Sequence, residues 1–495
     1  MAKASARSYL VACLFCSGCF LNPALSQVKG SAMDSVTKPA STRYSNMNFL
    51  KRIFLGSNYR KEWATPVKMP VLDIKTIHGG LTPTELGGGQ QTKNLRLKDK
   101  NGKEWALRSV DKEVEKAIQP HLRKTFVKKL VQDMVSASHP YAALTIPELA
   151  TAAHVVAPRP TLYYVPDDPA LGEFRKIFAN TVCMLEEREP TPDGSETEDT
   201  DELLEELMEE SDHVVMQEQV LRARLLDMLV ADWDRHIDQW KWGKYDSAGK
   251  TRYYVIPRDR DFAYFNSAGV IVTVMSWISL PHMRGFTEES KGLKKLNAKS
   301  WFFDHNFLNE LDADDWKRII ADFQQSLSDD VISRAIKKIP PEVYAISGRE
   351  IEEKLRSRRD GLMENAMKYY DYLANTVHVM GTDHADFFRV SQSGDDITVS
   401  VQTYDKKQPG KVMYNRVFKR KETNEIFLNG FGDDDHFEVD DNVSTKIRFI
   451  VEGGAGKDNF VERGKVRAKM MEVESTEDDD RKLSKANGKK NRTGF

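Results

Sequence analysis

Acidic side chains are concentrated in one long apolar stretch of the chain, residues 225–265. Its first part reads LLDMLVADWDRHIDQW and its last part YYVIPRDRDFAYF, with a turn at residues 246–249 between them. These patterns predict a helix, an irregular turn at residues 232–240, and a hairpin of two strands. Because an unpaired buried carboxylate costs free energy, we expect the two acidic groups to meet around a shared cation.

Two aspartates follow the second strand of this hairpin. If the strand continues, its period of two places Asp259 and Asp261 on one face and Arg258 and Arg260 on the other. Both carboxylates would then point at the same cation.

The overall composition limits the class of protein. The chain has 495 residues, of which 40% are hydrophobic, which is enough for two or three domains with real cores. Its net charge of -2 predicts that nucleic acid is not a partner.

The N-terminus has the features of a secretory signal. A positive start, an apolar run at residues 9–21 and a small-residue cleavage site predict a signal peptide over residues 1–26 and an exported protein, periplasmic or associated with the outer membrane. An ordinary buried helix is the alternative. Lipoprotein anchoring through Cys19 is a weaker alternative, since Cys16 stands where such a signal has leucine.

A glycine-rich turn precedes a second predicted hairpin, with strands at residues 92–97 and 104–110. Backbone N–H groups of such a turn can approach a phosphate, although glycine turns also join strands without any ligand. Arg108 on the returning strand could clamp phosphate oxygens, or it could point to solvent at a strand edge. The candidate residues in the turn are Gly87, Gly88, Gly89, Gln90 and Gln91.

Short alternating strands dominate from residue 377 to residue 466 and predict a separate all-β domain. The turns GFGDDDHFEVDDN and GGAGKDNF resemble calcium-binding β-roll repeats, but two imperfect copies do not make a repeat array. A Ca²⁺ site and plain turns both remain open. Residues 467–495 are charged and poor in apolar residues, which predicts a disordered tail.

Taken together, the acidic motifs resemble those of atypical kinase-like folds. The pattern is Asp-Arg-His at residues 234–236, Gln239 three positions further on, a hairpin, and aspartates at a strand end. Versions of it occur in phosphoinositide kinases, secretory-pathway casein kinases and spore-coat kinases. DWDRHIDQW and PRDRDFAYF are still more similar to exported Bacteroidetes proteins with such a domain.

The resemblance implies an α+β class and a two-lobed kinase-like domain followed by the small all-β domain. The predicted division is a signal peptide at 1–26, an N-terminal extension at 27–70, an N-lobe-like region at 71–190, an acidic linker at 191–212, a helical C-lobe-like region at 213–376, the all-β domain at 377–466 and the tail at 467–495.

The resemblance also implies roles for individual residues. Asp234 would orient or deprotonate the acceptor hydroxyl, and Gln239 would be a metal ligand. Asp259 or Asp261 would hold Mg²⁺ or Mn²⁺ against the phosphates of ATP or another nucleotide. Two residues depart from the pattern, because Arg108 replaces the usual strand lysine and the amide of Gln239 is a weaker ligand than a carboxylate.

Three functions follow from these expectations. The first is a metal-dependent phosphotransferase with an unknown acceptor. The second is a pseudokinase or a cell-envelope assembly module, with an outer-membrane or envelope partner bound through the β domain. The third is a metal-dependent phosphoester hydrolase, in which the carboxylates activate water.

Overall fold

The computed structural model describes residues 34–471, except 89–90, 116–117, 119, 272 and 275–284. The predicted signal peptide, residues 472–495 of the predicted tail, and the candidate residues Gly89 and Gln90 therefore lie outside the described residues. From residue 35 onward, the described residues form one compact unit. In the part of the chain that is described, no helix has the length and apolar character needed to span a bilayer.

Five antiparallel strands form the first sheet. Their order in space is Thr82–Leu86, Thr92–Lys98, Glu104–Lys112, Thr181–Glu187 and Thr161–Val165. The predicted hairpin is confirmed, with Leu97 opposite Trp105 and Asn94 opposite Arg108. One face of the sheet packs in a core of its own, and the other faces the main core. A short sheet, Ser35–Lys38 with Val67–Pro70, lies before it in the chain.

Helices form most of the chain between residues 200 and 374. The longest buried one, Gln217–Val230, ends at Ala231, whose φ of 56° is left-handed. The α-helices that lie wholly within the described residues include Phe49–Leu55, Arg60–Ala64, Phe126–Met134, Ile146–Ala152, Arg175–Phe178, Thr200–Glu209, Gln217–Val230, Leu293–Leu296, Trp301–Phe307, Ala313–Ser326, Asp329–Ile336, Pro341–Val343, Arg349–Asp360 and Leu362–Ala374.

A four-stranded sheet carries the hairpin predicted from the acidic stretch. Its strands lie in the order Glu198–Asp199, Trp240–Ser247, Lys250–Pro257 and His213–Val215. The hairpin is confirmed, but the strand stops at Pro257, so Asp259 and Asp261 are not on a strand face. The reason is the left-handed φ of 55° at Asp259, which breaks the alternation.

Two sheets packed on a separate core make up the C-terminal β region. The first holds Thr376–Met380, Glu425–Asn429, Ser444–Glu452 and Lys465–Met471, all parallel. The second holds Gln408–Lys419, Asp396–Asp405, Asp386–Ser393, His436–Val439 and Asn459–Glu462. The last strand of the first sheet runs to Met471, so the prediction of a tail from residue 467 placed its start too early.

The mixture of helices and strands confirms the α+β class.

Candidate active site

A cleft that is open to solvent lies beside the third strand of the first sheet, Glu104–Lys112. Its apolar lining includes Val110, Ala143, Ile146, Ala157, Pro158, Pro160 and Met184. Its charged lining consists of Arg108, Lys112, Glu186, Asp259, Arg260 and Asp261. A cleft with an apolar wall and a few converging polar groups is the usual form of a small-molecule site.

Lys112 is the central cation of this cleft. It is the last residue of its strand and is only 5% exposed. Its ammonium lies 2.7 Å from Asp261 Oδ2 and 4.0 Å from the centre of the Phe262 ring. The backbone of Lys112 is also fixed, because its carbonyl accepts a hydrogen bond of 2.8 Å from Gln132 Nε2. Lys112 was not among the residues predicted from the sequence.

Arg108 lies on the same strand and binds two carboxylates. Its Nε is 3.1 Å from Glu186 Oε1 on the neighbouring strand, and Nη1 forms an ion pair with Asp259. The guanidinium predicted to clamp phosphate is therefore occupied. Asp259 and Asp261 have separate cationic partners, Arg108 and Lys112, where the sequence analysis expected them to face a single cation.

Asp234 is held by a lysine from a distant part of the chain. Lys299 Nζ lies 2.6 Å from Asp234 Oδ1, and the backbone N–H of Asp234 donates to Asp232 Oδ1 over 3.1 Å. Burial works to raise the pKa of Asp234, but the charge and hydrogen bond of Lys299, together with His236 and Lys112, hold that pKa below its ordinary value. Asp234 is consequently ionised at neutral pH.

Asp232 connects the two acidic groups. Its side chain is fully buried, and Oδ2 has no hydrogen-bond partner among the described residues. Burial, with the negative charges of Asp227, Asp261 and Asp234 opposed by Arg235, raises the pKa of Asp232 to about 7. The structure therefore places Asp261 and Asp234 near one buried carboxylate.

A second buried carboxylate, Asp227 on helix Gln217–Val230, fixes the backbone on both sides of this site. Arg235, which follows Asp234, lies 3.3 Å from Asp227 Oδ2. Arg260, which precedes Asp261, donates to Asp227 Oδ1 over 2.7 Å. Asp227 is fully buried and its neighbours hold its pKa below the ordinary value, although burial opposes this.

The structure does not bring all the predicted residues into the cleft. Gln239 Nε2 lies 3.2 Å from His236 Nε2 in the short turn Ile237–Gln239, outside the cleft lining. Gly87, Gly88 and Gln91 also lie outside that lining, in the glycine-rich turn between the first two strands of the first sheet. The backbone N–H of Gly87 donates to the carbonyl of Asn94 over 2.9 Å, which closes this turn.

The predicted metal ligands are likewise divided between the cleft lining and positions outside it. Within the described ranges, no three His, Cys, Asp or Glu side chains are grouped so that they could hold a metal ion by themselves. Two of the predicted metal ligands, Asp259 and Asp261, line the cleft, where they pair with Arg108 and Lys112 respectively.

No protein-family model matches the chain, and no curated protein matches it. Among solved structures, the chain is similar to the proinflammatory kinase CtkA of Helicobacter pylori, with 12% identity and a TM-score of 0.32. The match covers 58% of this chain and 96% of that chain. A TM-score of this size does not establish a common fold.

Proposed function

We propose that this chain is an atypical kinase-like protein that binds a nucleotide together with Mg²⁺ or Mn²⁺ and transfers a phosphoryl group to an acceptor. The observation that carries the proposal is the ion pair between the buried Lys112 and Asp261, in a cleft lined by both charged and apolar side chains. Protein kinases place a lysine on the third strand and an aspartate of an Asp-Phe-Gly motif at the nucleotide phosphates.

The order of these residues supports the same assignment. The glycine-rich turn joins the first and second strands of the first sheet, and Lys112 lies at the end of the third strand. Asp261 begins the sequence Asp261-Phe262-Ala263. Alanine stands here where the motif has glycine. The base of a nucleotide would lie against the apolar side chains of Val110 and Met184. The phosphates of the nucleotide would then face Lys112.

The donor set of the cleft fits Mg²⁺ bound together with a nucleotide. Magnesium at nucleotide sites is held by one or two carboxylates, the substrate phosphates and water, so a group of three protein ligands is not required. Asp261 would be the principal ligand. The ion would neutralise charge that develops on the phosphates during transfer.

Asp234 would position the acceptor hydroxyl. A carboxylate whose pKa is held low is a weak base, so orientation of the hydroxyl is its main contribution and proton removal is a smaller one. Lys299 keeps Asp234 ionised and fixes its Oδ1, which suits a positioning role.

A pseudokinase is the second candidate, and two contacts favour it. Arg108 is bound by two carboxylates, and the amide of Gln239 faces His236, away from the cleft. A pseudokinase would either bind a nucleotide without transferring its phosphate or bind no nucleotide at all. The exported location and an envelope partner for the β region are further parts of the proposal, and they rest on the sequence alone.

The test begins with thermal unfolding of the whole chain in the presence of ATP, with and without Mg²⁺ or Mn²⁺. We expect stabilisation by metal with nucleotide, lost in Lys112→Met and kept in Lys98→Met. Lys98 is a matched control, because it lies on the adjacent strand with its side chain 51% exposed. Unchanged nucleotide binding in Lys112→Met would contradict the proposed site.

Turnover separates the two candidates. Transfer of phosphate from ATP to an acceptor that disappears in Asp234→Asn, with nucleotide binding retained, supports the phosphotransferase and excludes the pseudokinase. Rapid phosphate release without an acceptor supports the hydrolase. Wild-type binding of nucleotide without any turnover supports the pseudokinase.

A further inference from the structure

Three turns with one sequence pattern are stacked in the C-terminal β region. Each begins with glycine and ends with aspartate five residues later, at residues 381–386, 430–435 and 453–458. Parallel pairing of the strands on both sides holds the turns in register. The sequence analysis identified the last two turns, and the structure adds the first.

The glycines make room for the aspartates. A Cβ atom at Gly381 would lie 2.5 Å from Asp386 Oδ2. At Gly430 it would overlap Asp435 Oδ2 and approach the carbonyl oxygen of Gly453. Each carboxylate is therefore folded back over the glycine of its own turn, towards the backbone carbonyls of the stack.

Two of these carboxylates are buried without full compensation. Asp386 is 0% exposed and Asp435 is 1% exposed. Asp386 Oδ2 accepts from the N–H of Thr382 over 2.5 Å, and Asp435 Oδ1 accepts from the N–H of Asp386 over 2.8 Å. The remaining oxygens, Asp386 Oδ1 and Asp435 Oδ2, have no partner within the described part of the chain.

The surroundings of Asp435 add negative charge. The carboxylates of Asp386, Asp458 and Asp433 lie close enough to Asp435 to repel its negative charge. A buried carboxylate in such surroundings has to bind a proton or a cation.

We propose that Ca²⁺ binds within the stacked turns, with Asp386 and Asp435 as its carboxylate ligands and backbone carbonyls and water completing the shell. Ca²⁺ accepts carboxylate and carbonyl oxygens together in flexible geometry. The carbonyl oxygen of Gly430 lies 3.2 Å from the Cβ position of Gly381. The carbonyl oxygen of Gly453 lies still closer to the Cβ position of Gly430, beside Asp435 Oδ2, which has no partner among the residues that the structure describes. This site is separate from the proposed nucleotide cleft and does not depend on it.

The test is calorimetric titration of the whole chain at neutral pH with CaCl₂, and with MgCl₂ as the comparison. We expect wild-type protein to bind Ca²⁺ and to unfold at a higher temperature when it is bound. Asp435→Asn keeps an acceptor for the N–H of Asp386 but removes the charge, so Ca²⁺ affinity should fall by about tenfold or more. Asp405→Asn, whose side chain is 82% exposed on the same β region, should bind as wild type does.

Stability without metal gives a second readout. At pH 8 and without Ca²⁺, Asp435→Asn should be at least as stable as wild type, because it removes an uncompensated buried charge. With Ca²⁺ the order should reverse. Wild type that binds no Ca²⁺, or Asp435→Asn that binds it with unchanged affinity, overturns the proposal and leaves a proton as the occupant. If Asp435→Asn does not fold, the wild-type titration and Asp386→Asn decide in the same way.

Discussion

Replacing Asp227 by asparagine should destabilise the protein by about 3–5 kcal/mol, the cost of removing one partner of a buried ion pair. Asp227 is fully buried and contacts three guanidinium groups, those of Arg224, Arg235 and Arg260. Arg224 keeps a second partner, because its Nε lies 2.7 Å from Asp304 Oδ1. The loss therefore falls mainly on Arg235 and Arg260, whose other bonds go to backbone carbonyls.

Urea denaturation at neutral pH, followed by tryptophan fluorescence, measures this loss. The control is Asp322→Asn, which makes the same chemical change in a surface pair of 2.5 Å with Arg222. The Asp322 side chain is 55% exposed, so its variant should lose at most about 1 kcal/mol. If the free energies of unfolding lost by the two variants differ by less than about 1 kcal/mol, Asp227 does not stabilise the two arginines as the contacts indicate.

The pKa of the buried His139 is lowered to about 3 by desolvation, so the unfolded chain binds a proton first as pH falls. The contribution of neutral, buried His139 to the free energy of unfolding is therefore present above about pH 6.5 and is lost as the pH falls below it. Wild type should lose about 2 kcal/mol of that free energy between pH 7 and pH 5 through His139, and His139→Phe should not show this loss when both are measured by urea denaturation. Gly430→Ala should cost about 1–3 kcal/mol, because its Cβ would meet Asp435 and backbone, whereas Gly88→Ala meets no atom within 4 Å and should be close to neutral. Lys112→Met should weaken ATP binding by about tenfold or more in a titration, with the fold retained by circular dichroism.

Local patterns predicted the elements that carry the site. The hairpin at residues 240–257 and the hairpin that follows the glycine-rich turn were predicted from alternation and turn residues, which act over a few positions. The predicted alternation failed at Asp259, where a left-handed φ ends the strand geometry. The alternation of side chains in the sequence gives no indication that the backbone changes conformation at Asp259.

The contacts within the site were harder to predict because they join distant residues. Lys299 is separated from Asp234 by 65 positions, and no periodic pattern connects them. Lys112 could have been found, because the alternation that selects Arg108 continues to it if the strand is extended by two residues. The first of the stacked turns was missed because the hairpin of strands Asp396–Asp405 and Gln408–Lys419 separates it from the second.

Calorimetric titration of ATP into wild type and Asp261→Asn, each with and without Mg²⁺, tests the nucleotide site most directly. Asp261 pairs with Lys112 at 2.7 Å in the cleft, and its replacement removes both the proposed metal ligand and the partner of the lysine. We predict metal-dependent binding to wild type and binding that is about tenfold weaker or worse, without metal dependence, in the variant. Wild type that binds no nucleotide, or a variant that binds Mg²⁺ and ATP as wild type does, would contradict the assignment.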